Sequence, residues 1–350
     1  MVHTVPEGTY HPQSDVEELE GYTPGGFQPT IIGDAFCNGR YELVHKLGYD
    51  SKLSRYVSLK ILIAQASRLS RESEILYLLT KGDSNAVGRQ IIPPLLDEFF
   101  IDGPNGHHRC LVTEPAGTSI AGSKETSSNF MFPRDAARSV AAQLIMGLSY
   151  LHANNSETYL YLRNFLLRVP NFDKLSTSDS YHAVDGKPNT PNAPPHAILP
   201  PVWKMPANRM TDPEIVITDY GTSFIASQTP FPTLRTPALY SLPEGFFQEP
   251  ITIPTAADVW TLGVVLYEIL GERPVFETFS WNPDDIISEM ISTLGQLPAR
   301  WWISWENRPQ FFNPDGSWIS DYHRIATPVF RRLHQRMWDM GRGEAPETCE

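Results

Sequence analysis

The sequence predicts an α+β fold with two lobes, a small lobe rich in strands followed by a larger, mostly helical lobe. Apolar residues in the first third of the chain alternate or run together over short segments, which is typical of strands. Beyond about residue 130 they recur at helical spacing, and there is no internal repeat. Because 350 residues can bury a sizeable core in two lobes, we expect a ligand site in the cleft between them.

The small lobe is expected to span residues 23–113, after a polar, acidic segment (1–22) that is typical of a disordered tail. Apolar runs predict strands at 41–47, 55–63, 97–101 and 109–113. The last two strands are separated by Asp-Gly-Pro-Asn-Gly, a strong turn signal. One helix is predicted at 70–79, where charged residues precede a group of apolar ones.

The large lobe is expected to span residues 114–350. Apolar faces and stop signals predict helices at 133–152, 256–270 and 284–294. Two short strands, at 165–169 and 215–218, flank an insert at 170–212 that is rich in Pro, Asn, Ser and Asp. A long segment without periodicity is usually a functional or flexible loop. Since no apolar helix follows Met340, we expect this lobe to be truncated and to lack its last helices.

The composition narrows the class of function. A net charge of −12 and a pI near 5.3 argue against a nucleic-acid-binding surface and suit either a basic peptide partner or simple solubility. Cys37, Cys110 and Cys349 are too far apart for a disulfide framework or a C-x-x-C zinc motif, which favours a reducing compartment. The longest apolar stretch is too short to span a membrane, and the first residues lack the pattern of a signal peptide.

Lys60 and Glu72 predict a phosphate-binding pair. Lys60 lies in the strand sequence Val-Ser-Leu-Lys-Ile, which matches the V-A-I-K strand whose lysine holds the α- and β-phosphates of ATP in protein kinases. Glu72 lies in the next helix, where it can pair with that lysine. Either residue alone is more often a solvated surface charge, so the interpretation depends on residues later in the chain.

Four later residues continue the kinase pattern. Asn164 precedes a short apolar strand and Asp219 follows another in Asp-Tyr-Gly, which gives two oxygen ligands suited to Mg²⁺. Glu244 follows a proline where kinases have A-P-E, and Asp258 opens a helix where kinases place a buried aspartate that braces the catalytic loop. The order and spacing of these residues predict a bilobal, protein-kinase-like fold.

Further segments match one kinase family more closely. They are residues 25–29, 32–34, 38–41, 46–48 and 297–302, together with Phe311 and Phe312 and the long insert before Asp219. Through them the chain resembles the SR-protein kinase (SRPK-like) family, particularly its fungal branch, over roughly residues 20–345.

The resemblance implies a serine/threonine kinase that uses ATP and Mg²⁺ and acts on Arg/Ser-rich basic proteins, commonly splicing factors, in the cytoplasm and nucleus. It places the backbone of Glu114 at the linker between the lobes, where it would meet adenine. It also places Gly48 at the start of a glycine loop that covers the phosphates. Neither a membrane nor a direct nucleic-acid contact is implied.

The first departure from the family is at the catalytic base. A kinase catalytic loop has an aspartate five residues before its asparagine, and five residues before Asn164 this chain has Tyr159. A phenol with a pKa of about 10 is a poor base at neutral pH. Losing a general base typically costs about 10²–10⁴-fold in rate, so we expect strongly impaired catalysis.

Two further departures concern segments that the family has. No second or third glycine follows Gly48, and only twelve positions separate it from Lys60. We therefore expect the glycine loop and the second strand of the small lobe to be deleted near residues 49–51. The chain also stops at Glu350, before the arginine that pairs with Glu244 in the family.

These departures leave three interpretations open. The chain is an SRPK-type kinase with impaired catalysis, a catalytically inactive pseudokinase scaffold that binds a basic protein, or a fragment that does not fold stably. An imperfect gene model would explain the short loop and the early stop. It would not explain Tyr159, which lies in continuous sequence.

Overall fold

The computed structural model of the chain describes residues 19–45, 47–50, 55–154, 156–157, 162–170, 172–174, 181–183, 192–194, 196–198, 205–228, 236–278, 282–319 and 332–338. Tyr159, Cys349 and most of the expected tail lie outside these residues.

The small lobe is built on one antiparallel sheet of six strands in the order β1-β2-β3-β4-β6-β5. The strands are β1 (Ala35–Phe36), β2 (Tyr41–His45), β3 (Leu47–Asp50), β4 (Arg55–Ile61), β5 (Leu95–Gly103) and β6 (Gly106–Thr113). The Tyr41 ring on β2 stacks on Phe99 of β5 at 5.4 Å. In a flat sheet these strands would lie about 19 Å apart, so the sheet is strongly curled around its apolar core.

The expectation that the second strand of this lobe is missing is wrong. Strand β3 occupies that place and pairs with β2 on one side and β4 on the other. Only residue 46 separates β2 from β3, which leaves no room for the glycine loop that we expected between the first two strands. Gly48 therefore lies within a strand, opposite Leu43 and Val57, rather than at the start of a loop.

Two helices complete the small lobe, α1 (Ala64–Ser67) and α2 (Glu72–Lys81). The predicted helix at 70–79 is confirmed as α2, shifted by two residues. It has acidic residues in its first turn and a lysine in its last, both favourable for the helix dipole. Its inner face buries Ile75, Leu76 and Leu79.

The large lobe contains α3 (Ile120–Glu125), α4 (Arg134–Ala153), α5 (Pro243–Phe246), α6 (Pro254–Leu270), α7 (Pro283–Leu294), α8 (Ala299–Ser304) and α9 (Leu333–Trp338). The three predicted helices are confirmed as α4, α6 and α7. Proline stands in the first turn of α6 and of α7, where its missing N–H costs nothing.

The remaining strands form short antiparallel pairs. They are β7 (Ser156–Glu157), β8 (Phe165–Leu167), β9 (Tyr181–Ala183), β10 (His196–Ile198), β11 (Ile215–Ile217) and β12 (Phe224–Ile225). β8 pairs with β11 and β7 with β12. β9 pairs with β10 inside the insert, which the sequence had given no reason to expect.

One hydrophobic core crosses the boundary between the lobes. It includes Ile75 and Leu79 of α2, Leu144 of α4, and Val265 and Ile269 of α6, all almost fully buried. Helix α2 is therefore packed on the large lobe as well as on its own sheet.

Helix α9 is anchored by a buried arginine. Arg336 forms a 2.7 Å ion pair with Glu289 of α7 and donates to the carbonyl of Val275 at 3.0 Å. Its own carbonyl accepts a hydrogen bond from the Tyr267 hydroxyl at 2.7 Å. Within the described residues, no helix is long and apolar enough to cross a membrane.

Candidate functional site

Lys60 is held at the cleft by its strand. It lies near the end of β4, the strand between β3 and β6, and is paired with Leu111. The neighbouring Leu59 and Ile61 pack against the core of the sheet. Because side chains alternate along a strand, the apolar neighbours direct Lys60 to the opposite face, towards α2.

Glu72, the first residue of α2, forms an ion pair with Lys60. The Lys60 Nζ atom lies 2.8 Å from Oε1 and 2.9 Å from Oε2 of Glu72. The glutamate is only 3% exposed, which is unusual for a carboxylate unless it is paired. The structure thus brings together the first two predicted site residues.

Asp219 completes a cluster of three charges. Its Oδ1 lies 2.7 Å from the same Nζ atom, and the Tyr220 N–H donates to Glu72 Oε1 at 3.2 Å. Asp219 has a left-handed backbone, with φ 62° and ψ 70°. Such a conformation costs about 1–3 kcal/mol for a residue other than glycine, so the surrounding contacts must hold the carboxylate in this position.

Gly221 allows the close approach within this cluster. A Cβ atom at this position would lie 3.3 Å from Asp219 Oδ1 and 3.4 Å from Glu72 Oε2. A side chain here would therefore crowd the Asp219 carboxylate and contact that of Glu72. The glycine of the Asp-Tyr-Gly motif has a steric role as well as a place in the pattern.

The cluster keeps the lysine positively charged. Burial lowers the pKa of the Lys60 ammonium, but attraction to Glu72 and Asp219 and the hydrogen bonds to both outweigh burial and raise it overall. One cation faces two carboxylates, so the local charge is negative before any ligand binds. A divalent cation together with an anionic ligand would suit this arrangement.

Asn164 lies beside Asp219 because two strands are paired. β8 and β11 align Phe165 with Ile217, and the carbonyl of Asn164 accepts hydrogen bonds from the N–H of Thr218 at 2.8 Å and its hydroxyl at 3.0 Å. The asparagine is buried. Thr218 precedes Asp219 directly, so one amide and one carboxylate oxygen donor stand at adjacent strand ends.

This donor set fits Mg²⁺, which takes oxygen ligands and usually adds substrate phosphates to one or two protein groups. Among the described residues, no group of three or more His, Cys, Asp or Glu side chains could hold a metal ion alone. The two oxygen donors therefore fit a metal ion that arrives with a phosphate ligand.

Glu114 is not part of the cluster. Its carboxylate pairs with Arg168 at 3.3 Å and lines a cavity of about 600 Å³. The cavity is bordered by Tyr56, Phe172 and Met205, and none of the three cluster residues lines it. Only the backbone of Glu114 remains available for the role that the resemblance implies.

The two predicted bracing residues have different surroundings. Asp258, in α6, is 5% exposed and its Oδ2 lies 3.0 Å from His152 Nε2 at the end of α4. For Glu244, in α5, no ion pair is found among the described residues. The arginine beside it, Arg300, binds Glu249 at 2.7 Å instead.

Sequence reasoning missed two residues near the site. His152, the partner of Asp258, stood in the last turn of a predicted helix, which gave a positional signal but no partner. The buried hydroxyl of Tyr220 has no hydrogen-bond partner among the described residues, and burial raises its pKa. The motif Asp-Tyr-Gly gave no sign of this unpaired hydroxyl.

Tyr159, the predicted replacement of the catalytic aspartate, lies outside the described residues. The described chain stops at Glu157, which is paired with Phe224 of β12, and resumes at Leu162, two residues before Asn164.

Comparison with known proteins gives a consistent result. No family model matches the chain. A serine/threonine protein kinase of Aspergillus fumigatus is 25% identical over 319 residues, which cover 86% of this chain and 76% of that protein. The serine/threonine-protein kinase SRPK of Physarum polycephalum is 25% identical over 338 residues, 87% of this chain and 78% of that one. Human SRSF protein kinase 3 is 34% identical over 156 residues, 40% of this chain and 27% of that one.

Proposed function

We propose, from the premise that this chain resembles SRPK-type serine/threonine protein kinases, that it binds ATP with Mg²⁺ and that its phosphoryl transfer to Ser/Thr is strongly impaired. The observation that carries the proposal is the assembled cluster of Lys60, Glu72 and Asp219, with distances of 2.7–2.9 Å. Phosphoryl transfer depends mainly on positioning and charge neutralisation. This cluster positions a lysine for the phosphates and a carboxylate for the metal ion that would neutralise them.

Each residue has a distinct part. Lys60, held in place by Glu72, would bind the α- and β-phosphates, and Asn164 and Asp219 would hold the metal ion. When bound, ATP and Mg²⁺ supply the phosphoryl group and the charge that neutralises it. The buried Glu72 orients the ammonium so that it meets an incoming phosphate without rearrangement.

The impaired step is proton removal from the substrate hydroxyl. Tyr159 stands where the aspartate is expected, and a phenol with a pKa of about 10 is protonated at neutral pH. Lys60, Glu72 and Asp219 are in place, whereas no glycine loop follows Gly48. A comparison of Tyr159 with an aspartate at the same position therefore measures the loss at the base alone. We expect a rate about 10²–10⁴-fold below that of a chain with a carboxylate there.

The test compares the wild type with the Tyr159→Asp variant. Binding of Mg²⁺-ATP is measured by calorimetry, and transfer of labelled phosphate is measured with an Arg-Ser peptide. Both proteins should bind nucleotide, Asp219→Asn should weaken binding, and Tyr159→Asp should transfer phosphate about 10²–10⁴-fold faster than wild type.

Tyr161→Asp is the matched control, because it adds the same charge two residues away and should not raise the rate. Absence of nucleotide binding at millimolar ATP would contradict the proposal. Equal and measurable rates for wild type and Tyr159→Asp would show that catalysis is not impaired at this position.

The alternative is a pseudokinase scaffold that binds a basic, Arg/Ser-rich protein without turnover. The net charge of −12 favours a basic partner. Fluorescence anisotropy of a labelled Arg-Ser peptide, measured without nucleotide, tests it. Binding that weakens with salt, together with no transfer by either wild type or Tyr159→Asp, would favour the scaffold over the impaired kinase.

We also propose a reducing compartment, the cytoplasm or the nucleus. Cys37 and Cys110 are free thiols in the described part of the chain, and free thiols are typical of such compartments. Imaging of a fluorescent fusion in fungal cells tests this. Accumulation in a secretory compartment would contradict it.

A further inference from the structure

The insert that leaves β8 in the large lobe contacts the small lobe within a few residues. Phe172 is 6% exposed, and its ring meets the edge of the Tyr56 ring at 5.9 Å. The next residue, Asp173, accepts a 2.7 Å hydrogen bond through Oδ1 from the backbone N–H of Tyr56. Tyr56, in the small lobe, thus has both an apolar contact and a charge-assisted hydrogen bond with the insert.

The contacted residue lies on the strand that carries the site lysine. Tyr56 is four residues before Lys60 on β4, and β4 is hydrogen-bonded to strands on both of its sides. Because Asp173 binds the backbone rather than a side chain, it fixes the position of the strand itself. A displacement of β4 at Tyr56 would be transmitted along the strand to Lys60.

A second contact lies at the far end of the same sheet. Asn192 of the insert donates through Nδ2 to Oδ1 of Asn105 at 2.7 Å. Asn105, in the turn between β5 and β6, is 2% exposed and donates to the carbonyl of Phe27 at 2.7 Å. Thr113 is paired with Ser58, two residues from Tyr56. At about 3.3 Å per residue, the eight residues from Asn105 to Thr113 span about 26 Å, so the two insert contacts are widely separated.

Both ends of the insert are fixed to the large lobe. At its start, the Arg168 N–H donates to the carbonyl of Glu214 at 2.8 Å. At its end, the Ser123 hydroxyl of α3 donates to the carbonyl of Met205 at 2.5 Å. A segment that is anchored in one lobe at both ends and bonded to the other lobe at two points ties the lobes together.

We propose that the insert is an interlobe strap, defined by residues 172–174 and 192–194, and that Asp173 is a positioning residue. The strap holds β4 against the large lobe and so sets the distance between Lys60 on β4 and Asp219 beyond β11. Its effect on nucleotide affinity rests on the proposed function, whereas its effect on lobe spacing does not.

The test measures lobe spacing directly. Spin labels are placed at two exposed positions, through Glu42→Cys on β2 and Ala142→Cys on α4, in a background of Cys37→Ser and Cys349→Ser. Cys110 is fully buried, and burial raises the pKa of its thiol to about 12, so it should stay unlabelled. Double electron–electron resonance then measures the distribution of distances between the two spin labels, one in each lobe.

Asp173→Ala should broaden and lengthen this distribution, and Asn192→Ala should do so less, because it leaves the β4 contact intact. Asp173→Asn should keep the wild-type distribution of distances, since its amide oxygen can still accept a hydrogen bond from the Tyr56 N–H. Asp212→Ala is the control, because Asp212 is an exposed insert carboxylate without a hydrogen bond to the small lobe among the described residues.

A second measurement separates positioning from folding. Asp173→Ala should weaken Mg²⁺-ATP binding several-fold while its melting temperature stays close to that of the Asp212→Ala control. Equal distance distributions for Asp173→Ala and Asp212→Ala would overturn the strap. If the distances lengthen and wild type binds no nucleotide, the proposed function fails and the strap stands.

Discussion

Two ion pairs have similar lengths but differ in how much of the basic side chain remains exposed. Lys60 and Glu72 are 2.8 Å apart, and the lysine side chain keeps 40% of its surface exposed. Arg336 and Glu289 are 2.7 Å apart, and the arginine side chain is only 4% exposed. The arginine also binds a carbonyl, whereas the lysine meets a second carboxylate at the cleft. The first pair can receive a ligand, and the second contributes only to the packing of α9.

The largest effect is expected for the buried pair. Arg336→Ala leaves Glu289 without its cation in a partly buried position, and losing one partner of such a pair costs about 3–5 kcal/mol. Unfolding in urea, followed by fluorescence, measures this free energy. The control is Arg273→Ala, which removes a 3.8 Å pair on a 67% exposed side chain and should cost about 0–1 kcal/mol. Equal losses for the two variants would contradict the comparison.

The open pair should affect ligand binding more than stability. Lys60→Met removes the ammonium and keeps most of the side-chain volume. Glu72 keeps its hydrogen bond from the Tyr220 N–H, and the 40% exposed side of the pair lets water reach the carboxylate, so the stability loss should be about 1–3 kcal/mol. Nucleotide affinity should fall at least about tenfold, which corresponds to about 1.4 kcal/mol. Calorimetry on folded Arg336→Ala should give near-wild-type affinity. If Lys60→Met and Arg336→Ala each lowered both nucleotide affinity and stability, the proposed difference between the two ion pairs would be contradicted.

At alkaline pH the two ion pairs should differ in their contribution to stability, and this effect should be smaller than the two above. The folded pKa of Lys60 is raised above its ordinary value of 10.5. Its pairing therefore stabilises the fold fully below pH 10.5 and is lost as pH rises through the folded pKa. An arginine guanidinium is not deprotonated in proteins, so the second pair has no comparable loss at alkaline pH.

The measurement is the difference in unfolding free energy between wild type and Lys60→Met from pH 9 upward. This difference should shrink above pH 10.5, while the difference between wild type and Arg336→Ala should not. Ionisation of Cys110 is common to all three proteins and cancels. A constant difference for Lys60→Met would show that the ammonium contributes nothing to stability.

The sequence predicted the helices well because their signals are local. The apolar face of α4, the glycine after α6 and the proline that opens α7 each depend on neighbouring residues. Lys60, Glu72 and Asp219 could be placed in one site because each has a fixed place in a motif.

Features that depend on distant contacts could not be predicted. Strand β3 was missed because we expected a long glycine loop before it, whereas only residue 46 separates it from β2. The insert contacts of Asp173 and Asn192 join residues 117 and 87 positions apart, and a segment without periodicity gives no sign of them. For Glu114 the resemblance implied a role for the backbone alone, and the ion pair of its side chain with Arg168 could not be predicted because it joins residues 54 positions apart.

The core that crosses between the lobes has a consequence for how the chain can be divided. Ile75, Leu76 and Leu79 of α2 are at most 2% exposed, and their cluster continues into α4 and α6. Cutting the chain after Thr113 would bring these side chains into contact with water. The small lobe is thus not an autonomous folding unit, and heat should melt both lobes in a single cooperative transition.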